Sequence, residues 1–507
     1  MLRPARRAVN DARLGRVPLA LGPLVALALH LAAATRYGFF RDELYFIACG
    51  DRLAWGYVDQ PPLVALFARG AFALSGGSLA LFRLPAFVLH ASCAGLAGLL
   101  ARRLGGGRFA VALAGLCVAT SPLSLGLGHL VTMNAVEPLL WLAAAGSIAA
   151  LLDSGDERLW LLAGALAGLG TLNKHSMVFF AGCLLAGVLV AAPRTLRSRF
   201  LAAGIGLAVL LVLPHAIWQI RNGFPMLELL RNGQQGKNLP FALGAFLLAQ
   251  VMDNGPLHAA VWLAGLAWLL RGRFRALGVA YLLLLGLYIA LHAKPYYLAP
   301  IYPLLFAAGG VAIEGLLQSL TARIAAATLV GASGVLLAPL AIPLLPEAAL
   351  VSYLRATHQE VPRLENKRYG ALPQHYADQH GWEALEAAVA SVVRALPQGE
   401  AGRAAIYAQN YGEAAAVEIL GRRDALPPVA SGHNSYFTWG PPPGRDVWIV
   451  LGGDAVDHRK AFGDVQQAAR VPHDPWVMPY EDTLPIYVCR KPLRPIEALW
   501  PGTRHYE

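Results

Sequence analysis

Apolar runs long enough to cross a bilayer alternate with short polar breaks through the first two thirds of the chain. Stretches of roughly 17 to 25 apolar residues mark such crossings. They fall near 17–35, 79–101, 108–128, 135–152, 158–173, 176–192, 199–218, 256–271, 275–292, 298–318 and 324–345. The pattern predicts a mainly α polytopic membrane protein with about eleven transmembrane helices. The runs at 158–173 and 176–192 are separated only by Asn173-Lys174-His175 and read as a tight helical hairpin. Phe241 to Gln250 is too short to cross alone and reads as a half-helix or an interfacial helix. After about residue 346 charge returns, and short strand-like runs appear at Ala404–Ala408, Val447–Leu451 and Pro485–Cys489. Tyr411–Leu420 between them reads as an amphipathic helix, so a small α/β domain is expected there, with Trp439 to Gly444 as a Pro-rich loop. The expected division is a transmembrane domain over 1–345 and a soluble α/β domain over 346–507.

Composition agrees with a membrane location. Hydrophobic residues make up 56% and charged residues 14%, against about 25% charged in soluble domains. The net charge of +11 is carried largely by arginines in alternate loops: Arg102, Arg103 and Arg108; Arg158; Arg194, Arg197 and Arg199; Arg271, Arg273 and Arg275; Arg323. By the positive-inside bias these loops and the N-terminus are cytoplasmic. An odd number of crossings then makes the C-terminal domain extracytoplasmic. Arg3, Arg6, Arg7, Arg13 and Arg16 precede an apolar run that reads as an uncleaved first helix, because many crossings follow. The basic residues are scattered between spans and form no stripe, so nucleic acid is not an expected partner; membrane lipids are. Of five cysteines, Cys93, Cys117 and Cys183 lie in apolar spans. A Cys49–Cys489 bridge is open to the two others if both lie outside the cytoplasm, though spacing does not establish it.

Candidate chemistry gathers in the outer loops. Arg41-Asp42-Glu43 follows directly on the first apolar run, and Tyr57, Asp59 and Pro61-Pro62 come shortly after. Adjacent residues on a helix point in different directions, so one carboxylate can face a reaction centre while the other is tied to Arg41 or a backbone amide. A carboxylate at a membrane interface suits general-base work on a hydroxyl. In a second outer loop Asn134 and Glu137 lie three apart, near one helical face, and Asn134 also reads as a cap with Pro138 in the first turn. Lys294, followed by Tyr296 and Tyr297, suits a phosphate whose lipid tail lies in the bilayer, or a snorkelling lysine in an aromatic belt. Lys174 sits on the same outer side. The long segment from Trp218 to Asp253, with Arg221, Glu228, Arg231, Gln234, Gln235 and Lys237, reads as a solvated face or a substrate-covering loop, with His215 and His258 on either side. No HExxH, CxxC or HxH spacing occurs, and no metal ligand set is identified.

The order Arg41-Asp42-Glu43, then Gly56-Tyr57-Val58-Asp59-Gln60-Pro61-Pro62-Leu63, then Lys294-Pro295-Tyr296-Tyr297-Leu298-Ala299-Pro300 resembles the GT-C glycosyltransferases. It is most similar to the bacterial dolichyl-phosphate-mannose protein mannosyltransferase-like and aminoarabinose transferase-like group. The tail motifs Gln409 to Ala414 and Ser431 to Tyr436 look like those of uncharacterised bacterial members. The resemblance implies an enzyme of the bacterial inner membrane that moves a sugar from undecaprenyl phosphate to a periplasmic-face acceptor, whether lipid A, a glycan or a protein. Carried over, Asp42 deprotonates or orients the acceptor, Glu43 positions it or binds a cation, and Lys294 holds the donor phosphate. Tyr57, Asp59, Asn134, Glu137, Lys174, Tyr296 and Tyr297 are the further substrate-binding candidates. No cofactor is assigned, and a divalent metal is admitted. The rival class is a transporter or flippase of lipid-linked or small solutes. Transporters place ionisable groups near the bilayer midplane; here the spans are nearly free of charge and the acids cluster at one interface.

Overall fold

The computed structural model describes residues 16–234, 239–359, 363 and 365–507. Arg3, Arg6, Arg7, Arg13, Gln235 and Lys237 lie outside the described residues. The chain forms two compact units: one from Met1–Ala34, Ala80–Ala216 and Phe241–Leu344, the other from Thr35–Leu79, Ile217–Pro240 and Leu345–Glu507. Residue 345 is the last point at which the chain passes from one to the other.

The first unit is helical. Five helices among the described residues are long and apolar enough to cross a membrane: Leu79–Arg103, Met133–Ser154, Arg199–Arg221, Pro295–Leu316 and Leu320–Leu340. A sixth is counted if Arg108–Thr120 and Pro122–His129, bent by 61°, are one span. That bend breaks the single run expected over 108–128. Pro122 has no N–H to continue the helical ladder, and Ser121 Oγ turns to Asn254 Oδ1 at 3.2 Å. Shorter apolar helices include Val17–Ala33, Leu159–Asn173, Ser176–Ala191 and Arg275–Ala290. The second and third of these form the expected hairpin, and Leu243–Met252 is the expected short helix. Small residues allow backbone contact between spans. A Cβ added at Gly265 would lie 2.1 Å from the Leu305 carbonyl oxygen. The Arg108–Thr120 helix is capped from a distance: the Glu314 carboxylate accepts Phe109 N at 3.1 Å and Ala110 N at 3.3 Å.

The second unit holds a five-stranded sheet. β1 (Ala404–Ala408), β2 (Val429–Ser431), β3 (Val447–Leu451), β4 (Phe462–Arg470) and β5 (Pro485–Pro492) lie in the order β2-β1-β3-β5-β4. β1 pairs in parallel with β2 and β3, and β5 runs antiparallel to β3 and β4. β3 is buried throughout, whereas β4 is largely exposed and polar, as an edge strand should be. The Tyr411–Leu420 helix links β1 to β2 and has the bounds read from sequence. The Cys49–Cys489 bridge does not form: both thiols are free and buried. Cys489 is fixed in β5 opposite Trp448 and Val465, while Cys49 lies within the Arg41–Asp51 helix and takes a hydrogen bond from Gln60 Nε2 at 3.4 Å.

Candidate functional site

In the second unit the site is built on the start of the Arg41–Asp51 helix, which follows an extended Phe40. Glu43 is completely buried, and its Oε2 accepts Phe40 N at 2.9 Å. It therefore ties down an otherwise orphaned amide, where the helix dipole also favours negative charge. Asp42 points elsewhere, with 31% of its side chain exposed. Its Oδ1 accepts the Tyr411 hydroxyl at 2.8 Å and lies 3.6 Å from Arg41 Nε. Arg41 also reaches Asp378 Oδ2 at 3.3 Å and donates to the Tyr480 hydroxyl at 3.1 Å. Asp59 Oδ1 accepts the Tyr45 hydroxyl at 2.8 Å, and the Tyr45 and Tyr411 rings pack at a tilt of 38° with centroids 4.6 Å apart. The two aspartates are thus joined through two tyrosines. Tyr57 serves the loop itself: its hydroxyl lies 2.9 Å from the Cys49 carbonyl and accepts Ala54 N at 3.2 Å.

Sequence reading missed the tail's contribution here. Asn434, held at φ 47°, brings its Nδ2 to 3.5 Å from Asp59 Oδ2, and Ser435 Oγ accepts Val58 N at 3.2 Å. The motifs around Tyr411 and Asn434 are visible in sequence, but their target is not.

Behind Asp42 lie buried acids. Burial pushes Asp378 up to about 6 despite the Arg41 guanidinium, and pushes Glu413 up to about 7 despite accepted bonds from Gln409 N at 3.1 Å and Asn410 Nδ2 at 2.8 Å. The folded state thus holds the Glu413 proton more tightly than the unfolded chain does. Its contribution to stability is fullest below the ordinary glutamate range and is lost as pH rises toward 7. Glu413→Gln, which cannot ionise, is expected to flatten the fall in melting temperature of the detergent-solubilised protein between pH 5 and pH 8. An unchanged slope would contradict this assignment.

In the first unit five of the expected residues meet. Thr132 caps the Met133–Ser154 helix, its side chain accepting Asn134 N at 3.2 Å. The expectation of Asn134 as the cap is therefore corrected: the threonine two residues earlier has the extended backbone a cap requires. Asn134 Oδ1 instead accepts Lys174 Nζ at 2.8 Å. Glu137, one turn on, accepts the same ammonium at 3.0 Å and also takes the Ser176 hydroxyl. Lys174 Nζ lies 5.1 Å from the Tyr297 ring and 5.9 Å from that of Tyr296, within cation–π range. Lys294 is half-buried at the start of the Pro295–Ile301 turn.

A buried string of histidines was not anticipated. His30 Nε2 lies 2.8 Å from His90 Nδ1, and His30 Nδ1 lies 3.2 Å from His129 Nδ1. His30 and His90 come from different apolar runs and His129 from the break after a third, with no spacing to signal the cluster. His215 pairs with His175 at 3.0 Å, and His258 with Thr120 Oγ1 at 2.9 Å. Among the described residues no group of three or more His, Cys, Asp or Glu is placed to hold a metal ion.

Residues 59–218 match the family model described as dolichyl-phosphate-mannose-protein mannosyltransferase. No curated protein matches the sequence. Among solved structures the chain is similar to ArnT from Cupriavidus metallidurans bound to undecaprenyl phosphate, with a TM-score of 0.60 and 14% identity, over 94% of this chain and 98% of that one. ArnT in the apo state gives a TM-score of 0.58 and 14% identity, over 92% and 97%. The Archaeoglobus fulgidus oligosaccharyltransferase tethered with an acceptor peptide gives 0.49 and 13%, over 79% of this chain and 63% of that one. The family-model match, the likeness to ArnT and the apolar helices make the chain a multi-pass membrane protein that shares its fold with ArnT, the fold of the GT-C glycosyltransferases.

Proposed function

We propose that the chain is an inverting glycosyltransferase that moves a sugar from a polyprenyl phosphate, undecaprenyl phosphate in a bacterial inner membrane, to an acceptor on the extracytoplasmic face. The acceptor is a lipid, a glycan or a protein. The observation that carries this reading is the division of labour at the start of the Arg41–Asp51 helix: Glu43 is buried and spent on Phe40, while Asp42 keeps an exposed face. The likeness to a fold that binds undecaprenyl phosphate in ArnT supports the donor class.

In the proposed reaction the acceptor oxygen bonds to the anomeric carbon as the bond from that carbon to the phosphate oxygen breaks. The acceptor's proton passes to Asp42, and the leaving phosphate keeps the electron pair. A general base with cationic relief of the departing charge suits such a displacement. One displacement inverts the anomeric centre, and because a phosphate leaves without being protonated, a single carboxylate acting as base suffices, where glycoside hydrolases need a second one as general acid. Lys294 is assigned to the donor phosphate, with the Lys174, Tyr296 and Tyr297 cluster beside the lipid. The tail is assigned to the periplasm. The shorter apolar helices, with Pro256–Arg271, supply the remaining crossings of the expected eleven.

The test is mass analysis of envelope glycolipids and glycoproteins from cells with the gene, without it, and complemented. Loss of a sugar-bearing species on deletion, restored on complementation, is expected. Identical envelopes in all three would overturn the reading.

A further inference from the structure

The two tail motifs, Gln409 to Ala414 and Ser431 to Tyr436, take no part in the reaction as set out above, yet both converge on Asp42 and Asp59. Asn410 caps the Tyr411–Leu420 helix: its Oδ1 accepts Glu413 N at 2.9 Å and its Nδ2 donates back to Glu413 Oε1 at 2.8 Å. Gln409 Nε2 anchors the same turn to the end of β3 through the Leu451 carbonyl at 3.0 Å. Gly412 lets this turn abut the Arg41–Asp51 helix, because a Cβ there would lie 2.4 Å from Arg41 Cγ and 2.6 Å from Cδ. His433 packs on Tyr411 with ring centroids 4.9 Å apart. Tyr411 is thus held on one side by His433, on another by Tyr45, and by the guanidinium of Arg41 5.4 Å from its ring. Its hydroxyl meets Asp42 Oδ1 at 2.8 Å.

We propose that Tyr411, supplied by the C-terminal domain, is a positioning residue for the base: its hydroxyl pins Asp42 Oδ1, leaving Oδ2 as the oxygen that takes the acceptor's proton. This rests on Asp42 being the base. The Tyr411 proton stays on the phenol throughout. Burial, opposed by Arg41 and reinforced by Asp42, holds that phenol well above its ordinary range, so it remains a donor at any working pH. A hydrogen bond to a charged group both fixes its orientation and favours its ionised form. The other charged and titratable groups facing the pair are Arg41, Asp378, Asp59, Tyr45 and His433. The tail motif is then one device: a capped helix start, a glycine that permits close approach, and a tyrosine aimed at a carboxylate.

The test compares Tyr411→Phe, which keeps the ring packing, with Tyr436→Phe, which removes a similar buried hydroxyl bonded to Glu418 at 2.5 Å. Membranes from the deletion strain carrying each variant are assayed for the sugar-bearing species that wild type restores. Tyr411→Phe is expected to slow saturated turnover on the order of 10- to 100-fold, with half-saturating acceptor little changed. Tyr436→Phe is expected to lower thermal stability and leave saturated turnover intact. A readout independent of substrate is labelling of Asp42 by a water-soluble carbodiimide with glycine ethyl ester, followed by mass spectrometry. Labelling at a fixed pH should rise in Tyr411→Phe, where Oδ1 is no longer held by the phenol. If turnover and labelling both match wild type while Asp42→Asn is inactive, the positioning role falls and the base stands. Wild-type transfer by Asp42→Asn removes both.

Discussion

Asp42→Asn is expected to cut sugar transfer by roughly 100- to 10,000-fold, the span that a positioned general base contributes. The substitution is nearly isosteric, and the amide oxygen still accepts the Tyr411 hydroxyl that now lies 2.8 Å from Oδ1. Packing is therefore preserved while proton-accepting power is lost. Expression, melting temperature and retention of undecaprenyl phosphate by the purified protein should stay near wild type, which separates lost chemistry from lost fold. The measurement is transfer in membranes of the complemented deletion strain. Near-normal turnover would remove Asp42 as the base.

Lys174→Ala should produce the largest loss of stability. The ammonium is 18% exposed and its partner Glu137 only 3%. Removing one member of a buried pair leaves the other charge without compensation, a loss of about 3–5 kcal/mol. Glu137 would retain the Ser176 hydroxyl, and Asn134 would lose its contact to the ammonium. Replacing both members, Lys174→Met with Glu137→Leu, should recover much of that loss, because the stranded carboxylate is gone. Thermal unfolding in detergent reads the stability, and transfer in membranes reads the function. Recovery of stability without recovery of transfer would identify the pair as part of the donor's surroundings. Recovery of both would make it purely structural.

Much of the helical architecture was legible because a span must be apolar along its whole length. The hairpin around Asn173-Lys174-His175 and the helix at 256–271 follow the sequence reading closely. Errors arose where backbone chemistry interrupts an apolar run without changing its hydropathy. Pro122 breaks 108–128, and Pro295 with Pro300 turns the start of 298–318 into a 3-10 segment. β1 and β3 were found with their full bounds because they are buried apolar runs. β2 has three residues, and β4 is an exposed FGDVQQAAR with no apolar alternation, so neither carried a signal. Of the candidate residues, Asp42 in one unit and the Asn134, Glu137 and Lys174 set in the other could each be listed from residue type and interface position. Tyr411 could not be tied to Asp42, because their meeting joins residues 369 apart.

The polar character of β4 bears on how such proteins coexist. Confined to the plane of a bilayer, copies of one molecule collide far more often in a fixed orientation than they would in bulk water. An unsatisfied strand ladder on each tail would then invite neighbours to stitch together edge to edge. Asp464, Gln466, Gln467 and Arg470 along this border, with the irregularity between Gln467 and Ala469, make it a poor template for such addition. Dense expression in a membrane should therefore leave the tails independent of one another.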